Sequence, residues 1–130
     1  MRAGFAALVA AVFLAMPVAA QRMESESERS EAASAPGAVL RGLDKLSGVA
    51  QDLNLSVGET QPLGRLQVTL GDCRYPVNNP AGDAFAYLVV RDPQSEATEP
   101  LFQGWMIASA PALNALEHPR YDLWVIRCTS

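Results

Sequence analysis

The chain has two cysteines, one histidine and no stretch in which basic residues cluster, and each shortage removes a class of function. Structural zinc normally needs four ligands in close pairs, which Cys73, Cys128 and His118 do not supply, so no metal is expected. Covalent haem attachment needs a C-x-x-C-H run, and there is none. Glycine-rich phosphate cradles and G-x-S-x-G elbows are missing too. Ser47, Ser56, Ser95, Ser109 and Ser130 therefore sit in no local catalytic motif, and no cofactor is expected. With 10 basic residues against 14 acidic ones and no basic stripe, nothing would release counterions from a phosphate backbone. Nucleic acid is not an expected partner. No internal repeat occurs at solenoid periods.

The start of the chain reads as an export signal. Arg2 is a positive n-region, Phe5 to Met16 form an apolar run, and Val18-Ala19-Ala20 places small residues ahead of a cleavage point between Ala20 and Gln21. A spanning helix needs about 20 apolar residues, and this run is shorter and ends at Pro17, so removal is expected over anchoring. No cysteine follows it to carry a lipid. The expected location is the periplasm, peripheral to the membrane.

In an oxidising compartment two cysteines with no third partner favour one intramolecular disulfide, Cys73 to Cys128. Closing a loop of about 56 residues contributes on the order of 4 kcal/mol by restricting the unfolded chain. Alternation along Leu66, Val68 and Leu70 would point Cys73 the wrong way, but a bulge or turn at Gly71 can reset the direction.

Residues 21–36, "QRMESESERSEAASAP", carry almost no bulky apolar side chain and are expected to be a disordered linker. Residues 37–130 are expected to form a single all-β domain, a small sandwich or barrel with one short helix. Period-two patterning predicts strands over Ala38 to Leu43, Val49 to Val57, Leu66 to Leu70, Ala84 to Arg91, Leu101 to Ala108 and Tyr121 to Cys128. The strand from Ala84 to Arg91 is apolar on both faces, so it should be central and covered on two sides. Arg74 to Asp83 and Asp92 to Pro100 read as loops.

Residues 104–128, "GWMIASAPALNALEHPRYDLWVIRC", concentrate both tryptophans, the histidine and one cysteine. Ser109 and Pro111 are suited to open a helix over Ala110 to Glu117, ending at His118-Pro119. In the last strand Trp124, Ile126 and Cys128 share a face, so a bridged Cys128 would carry Trp124 and Ile126 inward with it. His118 then reads as a helix-terminal histidine rather than a general base, although a small hydrolase or carbohydrate-binding protein using His118, Glu117 and Tyr121 is the alternative. Asp72, Asp83 and Asp92 read as turn residues, not as a carboxylate pair. Trp105 and Met106 must face opposite ways, so one of them is core and the other a candidate partner-binding residue. A concave apolar pocket for an envelope ligand is a third option.

The stretches "LRGLDKLSG", "VGETQPLGRLQVTLGDCRYP", "AFAYLVV" and "LFQGWMIASAPALNALEHPRYDLWVIRC" resemble an exported bacterial family, domain of unknown function 2155, from Val39 to Cys128. The resemblance implies a signal peptide, a small β-rich domain and a cysteine after each of two flanking strands, here Cys73 and Cys128. It implies no established activity. Its members' gene neighbourhood points to a non-enzymatic accessory subunit or assembly partner of a respiratory membrane complex, NADH dehydrogenase.

Overall fold

The computed structural model describes Gly4 and residues 31–130. The expected signal peptide, apart from Gly4, its cleavage point at Ala20 and Gln21, and the expected linker as far as residue 30 lie outside the described residues. Eight strands follow in order: β1 (Ala32–Ser34), β2 (Gly37–Asp44), β3 (Ala50–Ser56), β4 (Thr60–Leu63), β5 (Leu66–Pro76), β6 (Phe85–Arg91), β7 (Phe102–Ile107) and β8 (Tyr121–Thr129). They form two antiparallel sheets. The larger runs β1-β5-β6-β7, with β4 sharing an edge of β5 with β1, and the smaller runs β3-β2-β8. The fold is an all-β sandwich.

Alternation explains how the layers close. β5 sends Leu66, Val68 and Leu70 inward, β6 sends Ala86, Leu88 and Val90, and β3 and β2 answer with Leu53, Leu55, Ala38 and Leu40. Every second residue thus loses its apolar surface to the opposite sheet, the main favourable term in holding the layers together. The core contains no buried polar or charged residue among those described.

Two bulges bring the cysteines together. The β5–β6 register slips between Leu70 and Asp72, leaving Gly71 over, so Cys73 points inward as the bulge reading expects. On β8, Arg127 pairs with Val39 and Val125 with Leu40, leaving Ile126 over. Each bulge lies two residues before a cysteine, and the Cys73–Cys128 disulfide (Cα–Cα 5.9 Å) ties β5 of one sheet to β8 of the other.

The second bulge corrects the expected facing of β8. Tyr121, Leu123 and Val125 are the buried set, while Trp124 and Ile126 are only partly covered on the outer face. Cys128 does turn toward the interior, but only because Ile126 resets the alternation after Val125, so its direction says nothing about Trp124.

Five other expectations change. No helix forms over Ala110 to Glu117, nor anywhere among the described residues; the segment is a chain of turns. A helix would place Leu113 and Leu116 on one face, yet the sandwich offers a slot for Leu116 alone and leaves Leu113 74% exposed. An eight-residue helix is too short to hold itself together against such contacts. The end of the expected linker is ordered as β1, because the free edge of β5 supplies backbone hydrogen bonds that side-chain composition does not reveal: Ala35 N–H to Cys73 O at 2.8 Å and Val77 N–H to Glu31 O at 3.0 Å flank the ladder. β5 runs on through Arg74 to Pro76, into the expected loop, and β4 adds a strand over Thr60–Leu63, where none was expected. β6 is central, as expected, but its outer face is only half covered.

Candidate functional site

The outer face of the large sheet carries the residues that stand out. Register sets Asp72 of β5 beside Tyr87 of β6, and Tyr87 beside Trp105 of β7. Because Met106 faces the core at 2% exposure, Trp105 must face outward, and it does so at 38%. The Trp105 and Tyr87 rings meet edge to face at 5.3 Å and 67°. The Arg74 guanidinium lies 5.6 Å from the Trp105 ring centroid while its Nε donates to Asp72 Oδ2 at 2.9 Å. Gln103 Nε2 donates to Tyr87 Oη at 2.9 Å. Edge-to-face pairing and cation–π contact hold both rings in one orientation. Asn114, in the turns after β7, donates from Nδ2 to Trp105 O at 2.9 Å and fixes the strand from its edge.

His118 is placed quite differently. Its Nδ1 accepts from the backbone N–H groups of Arg120 (3.0 Å) and Tyr121 (3.2 Å), and its own carbonyl accepts from Lys45 Nζ at 2.7 Å. The lone pair that a general base would use at Nδ1 is therefore engaged by the turn entering β8, which puts the proton on Nε2. The histidine ends no helix; it shapes a corner. Its ring lies 5.3 Å from that of buried Tyr121, and no hydrogen bond joins it to Glu117 among the described residues.

The acidic residues are engaged one by one. Asp44 takes Arg120 through both carboxylate oxygens and accepts from the N–H groups of Leu46 and Ser47. Arg120 above all, helped by those two amides, holds Asp44 at about 2 despite some burial. Asp83 is partly buried, which would raise its pKa, but the Ser109 hydroxyl and the N–H groups of Ala84 and Ser109 outweigh this and leave it below the ordinary value. Asp92 pairs with Arg65 at 3.3 Å and accepts from Gln94 N–H. Asp72, Asp83 and Asp92 are thus spread over an ion pair on a sheet face, a loop clasp and a turn. No group of three or more potential metal ligands occurs among the described residues, and no helix there is long and apolar enough to cross a membrane.

Of the residues that sequence reading singled out, the structure joins Cys73 to Cys128, sets Trp105 out and Met106 in, and separates all four from His118. Sequence reading missed Tyr87, Arg74 and Asp72 as companions of Trp105. Uninterrupted alternation would turn Asp72 and Arg74 inward with Leu70, and only the Gly71 bulge and the strand register set them beside Tyr87 and Trp105.

Fold and site together define a disulfide-stapled β-sandwich with an ordered aromatic and cationic platform on one outer face. The chain belongs to the family described as an uncharacterized protein conserved in bacteria (DUF2155), which it matches over residues 38–128. It is similar to an uncharacterized protein of Rickettsia prowazekii (strain Madrid E), with 26% identity over 87 residues, 66% of this chain and 56% of that relative. The chain thus spans little more than half the length of the curated relative it matches. No solved structure matches it.

Proposed function

We propose that this domain works outside the cytoplasm as an interaction module, docking on a partner protein through the platform of Trp105, Tyr87 and Arg74. The observation that carries this is Trp105 itself, 38% exposed on the outer sheet face yet held by Tyr87 and Arg74. Trp, Tyr and Arg dominate interface hot spots, and side chains already fixed in place lose little entropy on binding. The partner we propose is the respiratory NADH dehydrogenase, which the protein would serve as a peripheral periplasmic accessory subunit. Sequence resemblance alone supports that choice of partner.

The test is affinity capture from membranes in mild detergent, using wild type, Trp105→Ala and Arg74→Glu as full chains. Wild type should recover the respiratory complex, both variants should lose it, and all three should keep the same circular dichroism. Equal recovery by all three would reject the platform, and recovery of no respiratory subunit by wild type would reject the partner.

A further inference from the structure

The exposed face around Trp105 extends in two directions along β7. Leu101 and Gln103 share the outward phase of Trp105, and Leu101 is 41% exposed. Asn114, bonded to the Trp105 carbonyl, brings its neighbour Leu113, 74% exposed, to the flank of that row. Three of the seven large apolar side chains that stay exposed among the described residues thus gather along one strand. The polar groups between them are already taken, Arg74 by Asp72 and the Tyr87 hydroxyl by Gln103. A polar group of a partner would have to displace one of these bonds for little net gain, so the centre of the patch suits apolar contact.

Charge around the patch is one-sided. Arg91 shares the outward phase of Tyr87, and its guanidinium donates to Thr98 O at 3.5 Å, which draws the β6–β7 loop toward the same face. That loop carries Glu96 and Glu99, both exposed. Of the neighbouring bases, Arg74 is matched by Asp72 and Arg65 by Asp92. Arg91 is left against two glutamates, and no salt bridge among the described residues reaches either of them. Glu117, exposed in the turns that carry Leu113, is a third acid without a cationic partner among those residues. From Leu101, where the loop ends, to Trp105 is four positions, about 13 Å along the strand. A standard interface covers roughly 800 Å² on each side, so one partner can meet Trp105 and the acidic loop together.

We propose that the platform receives a partner surface with an apolar centre and a basic rim, apolar against Leu101, Trp105 and Leu113 and bearing lysine or arginine against Glu96 and Glu99. This rests on the interaction-module reading and names the chemistry of its partner. Opposite charge at a rim chiefly speeds association and makes it salt-dependent, whereas a central tryptophan holds the complex once formed.

The probes are two capped amphipathic peptides with the same leucine face, one bordered by lysines and its twin by glutamates. Binding is followed by amide chemical shifts of the isotope-labelled protein. The lysine peptide should shift residues 96–105 and bind at least about tenfold more tightly than its twin, an advantage that shrinks as salt is raised. Trp105→Ala should weaken both peptides, because it removes the apolar centre. Glu96→Gln with Glu99→Gln should cut the lysine peptide's advantage about fivefold, and Glu59→Gln, across the sheet beyond β5, should leave it unchanged. No shifts at millimolar peptide, or lysine-peptide binding that Trp105→Ala does not weaken, would overturn the proposal. Equal binding of the twins, or an advantage that survives the double substitution, would overturn the basic rim and leave the platform standing. Peptide results as expected, with no respiratory subunit captured from membranes, would uphold the proposal and reject only the respiratory partner.

Discussion

Cys73 on β5 and Cys128 on β8 are joined across the two sheets, and each stands two residues beyond a bulge that turns it toward the other. The bond closes the chain over a sequence separation of 55. Replacing both cysteines by alanine should lower the unfolding free energy by about 4 kcal/mol, with the far-ultraviolet spectrum of the folded state unchanged. Urea melts of the double variant beside wild type measure the loss, and titration of native wild type under denaturing conditions should find no free thiol.

Gly64, at φ +57°, leaves its Cα against the Tyr121 ring, and that ring is buried between the sheets. A methyl group there must both accept the left-handed backbone and displace the ring. Gly64→Ala should cost at least about 2 kcal/mol in thermal or chemical melts. In a Tyr121→Phe background the same substitution should cost less, because the hydroxyl is the first atom met.

Asp44 should make the corner between β2 and β8 sensitive to acid. Its carboxylate lies at about 2 when folded, below its ordinary 3.8, so its contribution to stability is complete above pH 4 and is lost as the pH falls toward 2. Asp44→Asn should be less stable than wild type at neutral pH and should show a flatter stability profile between pH 4 and pH 2. Chemical denaturation across that range reads both effects.

Trp105 and Met106 are neighbours with opposite duties. Met106→Ala empties a core position and should cost about 3 kcal/mol. Trp105→Ala loses an edge-to-face pair and a cation–π contact on the surface and should cost about 1 kcal/mol. A reversed order in thermal melts would show that β7 presents its other face to the core.

Where side chains alternate without interruption, the fold was legible in advance. Leu66, Val68 and Leu70 announce a half-buried strand, and one of Trp105 and Met106 had to face out. Even the Gly71 bulge could be inferred from the need to turn Cys73 inward. The errors fall where a distant partner decides. β1 exists because β5 has an open edge, Leu116 is fixed by a slot that leaves Leu113 outside, and Trp124 stays on the outer face because the bulge at Ile126 comes after it.

The sequence alone determined the apolar period of the strands, the scarcity of chemical groups for metal or nucleophilic chemistry, and the likeness to a bacterial family, because these are properties of residues and their spacing. Only the tertiary structure decided which edges remain open, which rings touch and which face each tryptophan takes. Register, bulges and edge exposure arise from hydrogen bonds between segments far apart in the chain, and a local pattern does not encode them.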